Sequence, residues 1–298
     1  MSYPLTRSIL STQERRSPGA RAVITVCYVL ALVLTLVMFY PLAWVFFNAL
    51  KDSKEIYDIP PGLFPTHPQW GNYPEAWRIY QLGPTMVNTL VVFAGVVVVK
   101  LVVLAMAAFA LAHLRLPARR VVFLVFLSTL LLPTVAYLVP SFLAVANVPL
   151  LGFNLLNTYW ALWIPAAADS FSLLMLKNFF DEIPGELLEA GRIDGASHAR
   201  ILARIILPLA KPILAVLGIF TFLSVWNDFF WTRLVLGNVP ELWPVSVSLW
   251  YHSTVVGAQP PANVQLAAMA LASVPPLVLF LNFQKHITQG VSFSGIKG

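Results

Sequence analysis

The sequence predicts an all-α, multi-pass membrane protein, and three observations predict it. Of its 298 residues, 58% are hydrophobic and only 11% are Asp, Glu, Lys or Arg, about half the charged content of an average soluble domain. Six stretches are long and apolar enough to cross a bilayer, whose roughly 30 Å of hydrocarbon takes about 20 helical residues. Basic residues gather in alternate connections between those stretches. A soluble domain of this length could bury a large core, but too few charges remain to give it a polar surface.

The six expected transmembrane helices cover residues 23–47, 86–112, 121–145, 155–176, 213–236 and 265–283. The first, third and sixth contain no Asp, Glu, Lys or Arg. The first is too long, and too bulky at 42–50, for a cleaved signal peptide, so it is expected to stay as a helix. The others carry Lys100, Asp169, and Asp228 with Arg233 at membrane depth. Charges at that depth belong on faces turned toward other helices or water.

Orientation follows from the cations. Arg7, Arg15, Arg16 and Arg21 precede the first span, Arg115, Arg119 and Arg120 follow the second, and Arg192, Arg200, Arg204 and Lys211 follow the fourth. Lys285 and Lys297 lie in the tail. The alternate connection 48–85 has three basic against four acidic residues, 146–154 has no charge, and 237–264 has only Glu241. Both termini are therefore expected in the cytoplasm. The net charge of +6 belongs to this bias toward the inner leaflet, and no separate basic, aromatic-rich block points to nucleic acid. Cys27 is the single cysteine, inside the first span, and the five histidines are scattered, so neither a disulfide framework nor a cysteine-based metal site is expected.

Connection 48–85 carries Pro60, Pro61, Pro65, Pro68 and Pro74 and is expected to be mostly loop. Its Trp70 and Trp77 suit interfacial anchoring or an external docking surface. In the second span Lys100 is too central to snorkel easily; a cavity-facing position and a bond to an acid on another helix both remain open. Pro133 and Pro140 are expected to bend or unwind the third span, either as packing kinks or because irregular backbone lines a cavity. In the fifth span Trp226, Asn227 and Asp228 form a polar-aromatic group. Asn227 could hydrogen-bond a polyol while aromatic faces pack on its ring, or the group could join helices, with Arg233 as a partial partner of Asp228.

The cytoplasmic stretch 181–211 reads as a helix-turn-helix. Asp181 and Glu182 suit the positive end of a helix dipole, Pro184 suits a first turn, and a short helix is expected over 185–190. Gly191 permits close backbone approach and Asp194-Gly195 is a turn signal. Ser197 then caps a second helix that gathers Ile201, Leu202, Ile205, Ile206 and Leu209 on one side.

Glu189-Ala190-Gly191, Ile193-Asp194-Gly195-Ala196-Ser197 and Ile206-Leu207-Pro208-Leu209 resemble the EAA signature of ABC importer permeases. Phe179-Phe180, Ile183-Pro184, Trp226-Asn227-Asp228-Phe229 and the tail from Gln289-Gly290 to Lys297-Gly298 fit the same binding-protein-dependent sugar permeases, the family of the maltose transporter's smaller permease. The resemblance implies a type I ABC importer permease in a prokaryotic plasma membrane, the inner membrane if the cell is Gram-negative. Its parts would be a cytoplasmic segment 1–22, a permease domain 23–284 containing the coupling segment, and a cytoplasmic tail 285–298.

In that family the EAA segment docks on a nucleotide-binding subunit, which assigns coupling here to Glu189, Ala190, Gly191, Asp194, Gly195 and Ser197. Gly191 stands where the signature usually has Ala. The tail would reach toward the ATPase dimer interface. The implied partners are a second permease, two ABC ATPases, an extracytoplasmic sugar-binding protein, membrane lipid and a sugar. Candidate pathway residues are Trp226, Asn227, Asp228, Lys100 and Pro133. No GxxxxGK[ST] motif occurs, so ATP and Mg are expected on the partner ATPases and no cofactor on this chain. Two alternatives remain: a permease for a sugar-phosphate or other polyol derivative, for which Lys100 and Arg233 would suit an anionic solute, and a membrane enzyme acting on lipid-linked sugar.

Overall fold

A computed structural model describes residues 18–255 and 259–292, with side chains through residue 284. Arg7, Arg15 and Arg16 of the N-terminal segment, and Lys297 with the end of the tail, lie outside the described residues. The chain forms two compact units. Of the described residues, one unit holds those through Tyr73 together with Pro261–Ala270, and the other those from Pro74 to Pro260 and from Leu271 onward.

In the first unit α1 runs Pro18–Asn48, and its only buried residue is Asn48. Most of its apolar side chains as far as residue 41, among them Leu30, Leu36 and Met38, are exposed, as suits a helix whose surroundings are lipid or another chain. The proline-rich loop that follows is held by side-chain amides. Asn72 Nδ2 donates to the carbonyls of Ala49 (2.8 Å) and Lys51 (3.0 Å), and Asn263 Nδ2 to those of Lys51 (3.1 Å) and to Asn72 Oδ1 (3.2 Å). The buried Lys51 ammonium donates to the Gly62 carbonyl. Prolines supply no backbone donors there, so these side chains replace a ladder. The expected loop also contains a short helix, α2 (Asn72–Ile79), whose Pro74 sits in the first turn, where a missing N–H leaves no gap.

The second unit is built on α3 (Leu82–His113). Its buried residues include Thr85, Thr89, Val92, Val96, Leu104 and Ala108, a stripe at the 3.6-residue helical period. Lys100 falls on that stripe, four residues from both Val96 and Leu104, which turns it inward.

The third expected span is two helices, α4 (Arg119–Ser128) and α5 (Leu138–Ala146), within a chain path bent by 109° at the Leu132-Pro133 break. Pro140 lies in the first turn of α5 and breaks nothing. The fourth expected span is also not continuous: α6 (Trp160–Trp163) and a 3-10 turn Pro165–Ala167 precede α7 (Ser170–Asp181). Asp169 ends the first piece and caps the second, its Oδ1 accepting the backbone N–H groups of Phe171 (3.1 Å) and Ser172 (3.3 Å).

Next come α8 (Gly185–Ile193), α9 (His198–Ile201), a π turn Leu202–Ile206 and α10 (Leu207–Leu209). The single second cytoplasmic helix expected there is therefore split. Pro208 cannot donate to the carbonyl four residues back, the ladder widens, and Leu209 is exposed rather than sharing the buried side of Ile201 and Ile206. The fifth span is α11 (Lys211–Asn227) followed, after a break at Asp228, by α12 (Phe230–Val235). Helix α13 (Val245–Thr254) lies in a connection for which no helix was expected, and α14 runs Ala262–Ser292. Among the described residues, three helices are continuous and apolar enough to cross a membrane, and two bent pairs raise the number to five. Of the six expected spans, the third bends at Pro133, as its prolines lead one to expect, while the fourth and fifth are interrupted at Asp169 and Asp228.

Two apolar clusters flank Lys100 along α3. One joins Leu104, Ala108 and Phe109 to Leu176, Phe180, Leu188, Ile201, Ile206 and Ile213, so that α8 and α9 are packed onto α3, α7 and α11. The other joins Val92 and Val96 to Val145, Leu162, Val235, Trp243 and Val247. Between these side chains and lipid there is little hydrophobic difference, so close packing and hydrogen bonds must hold them. Gly95 shows how close: a Cβ there would lie 2.1 Å from the Trp163 ring, whose Nε1 donates to the Val92 carbonyl (3.2 Å). Gly95→Val is expected to displace the indole and to cost about 1–3 kcal/mol, read as a lower Tm of the detergent-purified protein; an unchanged Tm would show that Trp163 can move freely.

Candidate functional site

Three of the helix breaks in the second unit, at Pro133, Asp169 and Asp228, converge on one cavity of about 420 Å³. Thr134 and Tyr137 come from the break between α4 and α5 and Ser141 from the start of α5, Asp169 from the cap of α7, Asp228 from the break between α11 and α12, and Thr232 from α12. Lys100 enters from α3, and Thr221 and Ser224 from α11. Val92, Val96, Leu162 and Trp231 supply apolar walls.

Its charges are arranged by hydrogen bonds. Lys100 Nζ donates to Asp169 Oδ2 at 2.6 Å, and their side chains keep 15% and 28% exposure. The Ser172 hydroxyl donates to the same oxygen at 2.6 Å. Asp169 thus closes an ion pair and caps a helix at once, so a carboxylate at membrane depth is fully engaged. Thr129 and Ser170 hydroxyls, 2.6 Å apart, tie the neighbouring break to the same helix start.

Asp228 Oδ2 accepts the Thr232 hydroxyl (2.7 Å), and the Asp228 carbonyl accepts that of Ser246 (2.7 Å). Arg233, the expected partial partner of Asp228, is not its partner. Five residues on places it on the far side of the helix, while Thr232 at four residues shares the face of Asp228. The Arg233 guanidinium instead lies over the Trp250 ring.

The other expected pathway residues lie apart from this cavity. Trp226 is buried, stacked on Phe222, with its indole N–H donating to the Ala272 carbonyl at 3.1 Å. Asn227 is exposed and its amide donates back to Leu223. Pro133 forms the break, and its neighbour Thr134 faces the cavity. The hydroxyls of Thr134, Tyr137, Ser141, Thr221 and Ser224 were not anticipated; each is a single polar residue inside an apolar run, and only the direction of its helix distinguishes it. The arrangement offers one neutralised ion pair, one further carboxylate and a ring of hydroxyls, a lining that hydrogen-bonds a hydroxylated solute without holding a strong net charge.

In the 181–211 segment, α8 ends in a Schellman motif. Ala196 N–H donates to Gly191 O (2.9 Å), Gly195 N–H to Arg192 O (3.0 Å), and Gly195 has φ +73°, a left-handed conformation that suits glycine. Ser197 Oγ caps α9 by accepting from the Arg200 N–H. Glu189, Ala190, Asp194, Gly195 and Ser197 are exposed, and Ile193 beside them is 86% exposed. Gly191 is buried: a Cβ there would meet Ile205 Cδ1 at 3.1 Å and Ile201 Cγ1 at 3.4 Å. That contact explains why the smallest residue stands at this position. Among the described residues no group of three His, Cys, Asp or Glu side chains could hold a metal ion.

Comparison with known proteins places this geometry. The chain is 30% identical over 271 residues to the sn-glycerol-3-phosphate transport system permease protein UgpE of Yersinia pestis bv. Antiqua (strain Antiqua), a match covering 89% of this chain and 94% of the relative. It is 29% identical over 290 residues to the diacetylchitobiose uptake system permease protein NgcG of Streptomyces coelicolor, covering 97% and 91%. Its fold is shared with a chain of a bacterial ABC transporter involved in the import of the acidic polysaccharide alginate, with a TM-score of 0.79 at 24% identity, over 90% of this chain and 98% of that one. Residues 102–293, which include the 181–211 segment and most of the cavity lining, match the family described as binding-protein-dependent transport system inner membrane component. The chain is a transport permease and belongs to that family.

Proposed function

We propose that this chain is the transmembrane subunit of an ATP-driven importer for a polyol phosphate or similar sugar derivative, and that the cavity around Lys100, Asp169 and Asp228 is its solute pathway. The observation that carries the pathway is the meeting of three broken helices at one polar cavity, since interrupted backbone at membrane depth is tolerated where it lines a route for solute. Similarity to the glycerol-3-phosphate permease along most of both chains supports a polyol derivative better than a plain sugar. A neutral disaccharide is the second reading; it is supported by the diacetylchitobiose relative and by the neutralised charge of Lys100. Membership of a transport family leaves an enzyme of lipid-linked sugar without support.

The chain works with a second permease, two ATPases that carry ATP and Mg, and an extracytoplasmic binding protein. Charge placement puts both termini and the 181–211 segment in the cytoplasm of a prokaryotic cell, with the chain in its plasma membrane. There Glu189, Ala190, Asp194, Gly195 and Ser197 form the surface that meets an ATPase, buried Gly191 lets α8 pack on α9, and the exposed Ile193 is covered on docking. Movement of the ATPases reaches the cavity through Leu188, Ile201 and Ile206, which pack on α3, α7 and α11.

The complex reconstituted in vesicles with its binding protein is expected to take up glycerol 3-phosphate with solute-stimulated ATP hydrolysis and to release it unchanged. Uptake of diacetylchitobiose alone would select the second reading, and a chemically altered product would overturn both.

A further inference from the structure

Helix α12 has a second cavity on its other side. Asp228, Trp231 and Thr232 face the pathway cavity, whereas Phe229, Phe230, Arg233 and Leu234 line a separate space of about 510 Å³. Alternate faces of one short helix therefore wall two cavities, and α5 does the same, with Ser141 in the first and Phe142 in the second. The second cavity adjoins the connections that the charge pattern assigns to the outer side of the membrane.

Arg233 is the one ionisable group among the described residues lining it. No described acid lies within ion-pairing distance of Arg233, and the nearest acid in sequence, Asp228, is bonded to Thr232 on the other face. The Arg233 Nε is buried and makes no hydrogen bond. Its guanidinium carbon sits 5.3 Å from the centre of the Trp250 ring and 6.0 Å from that of Trp243. Those ring faces offset part of the desolvation of the cation and leave its planar fork without an acceptor.

The position is shaped for this side chain. A Cβ on Gly237 would lie 2.3 Å from Arg233 Nη1 and 2.9 Å from the Arg233 carbonyl, so no residue but glycine leaves the guanidinium where it is. Phe229 packs against Trp250 with ring centres 5.4 Å apart, giving aromatic surface beside the charge, and Asn157 and Asn238 are among the lining residues. A fork of donors that lacks an acceptor matches phosphate or carboxylate, and aromatic faces match the C–H face of a carbon chain or ring. The volume suits a small solute.

We propose that this cavity is a recognition site for the anionic end of the solute. Arg233 takes a phosphate or carboxylate, Trp250 and Phe229 take the attached polyol skeleton, and the solute passes from here to the neighbouring pathway cavity. The proposal rests on the polyol-derivative reading above. It also divides the labour between the two cations: Lys100 is spent on Asp169 and holds helices together, while Arg233 selects charge.

The test uses the purified complex of permeases and ATPases without binding protein, titrated with glycerol 3-phosphate, glycerol and inorganic phosphate. Glycerol 3-phosphate is expected to bind, inorganic phosphate to compete, and glycerol to do neither. Arg233→Gln should weaken glycerol 3-phosphate binding roughly ten- to hundredfold, the worth of a hydrogen-bonded charge, with partial retention in Arg233→Lys. Gly237→Ala keeps the arginine but displaces it, and should weaken binding in the same direction even if Arg233→Gln fails to assemble. Unchanged binding in Arg233→Gln and Gly237→Ala, with wild-type uptake of glycerol 3-phosphate intact, overturns this site and leaves the transport reading standing. Loss of the partner permease from Arg233→Gln, with unaltered binding by Gly237→Ala, assigns Arg233 to a subunit contact and also overturns it. A wild-type complex that neither binds nor takes up glycerol 3-phosphate removes the substrate class and this site together.

Discussion

Lys100→Met is expected to lower the stability of the permease by about 3 kcal/mol, the lower range for breaking a buried ion pair, because both side chains retain contact with a cavity. The loss arises from what remains. Asp169 keeps the Ser172 hydroxyl and two backbone N–H groups, but its charge then stands without a counter-ion among apolar helices. The double substitution Lys100→Met with Asp169→Asn should recover most of that loss, since an asparagine still caps α7 and no charge is left. Thermal unfolding of the detergent-purified complex reads both effects. A Tm unmoved by Lys100→Met would mean that the pair holds nothing together. Uptake by the double variant then divides two roles: recovery of Tm and uptake together makes the pair a scaffold, whereas recovery of Tm alone makes it part of the solute path.

Gly195→Leu and Glu189→Arg are expected to cut solute uptake to roughly a tenth or less while the transmembrane part stays folded. At φ +73° a leucine costs about 1–2 kcal/mol and loosens the Schellman motif that ends α8. A Cβ there meets no other described atom within 4 Å, so the added side chain starts from open space beside the proposed ATPase contact. Glu189→Arg acts differently, reversing an exposed charge without touching the backbone, and should respond to salt where Gly195→Leu does not. Uptake and ATP hydrolysis in the same vesicles separate the cases: hydrolysis that no longer rises with solute is lost coupling. Normal uptake by both variants would mean that the ATPases dock elsewhere.

The 181–211 segment was legible in its turn and cap because those signals are local. Gly195 at a left-handed turn, Ser197 as a cap and Gly191 at a close approach each act within a few residues, and the structure has all three where the spacing puts them. The second helix is split for an equally local reason: Pro208 lacks the N–H that would close the preceding turn, and residues 202–206 widen into a π turn. The cavity was only half legible. Lys100 and Asp228 stood out as charges in apolar runs, but the partner of Lys100 was one of several acids, and Trp226, conspicuous in sequence, is buried against another helix carbonyl.

By itself the sequence determined that this chain is a multi-pass, all-α membrane protein, which of its connections are basic, and where in 181–211 a turn and a helix cap fall. These depend on composition, on charge and on contacts within a few residues. Tertiary structure decided where the spans break and what meets at the breaks. A helix can stop inside a bilayer only if the backbone groups it frees find partners, and at Asp228 the partner is Ser246 in another segment. The side chain that caps the break at Asp169 is in turn neutralised by Lys100 from α3. Such partners are adjacent only after folding, so no periodicity along the chain announces them.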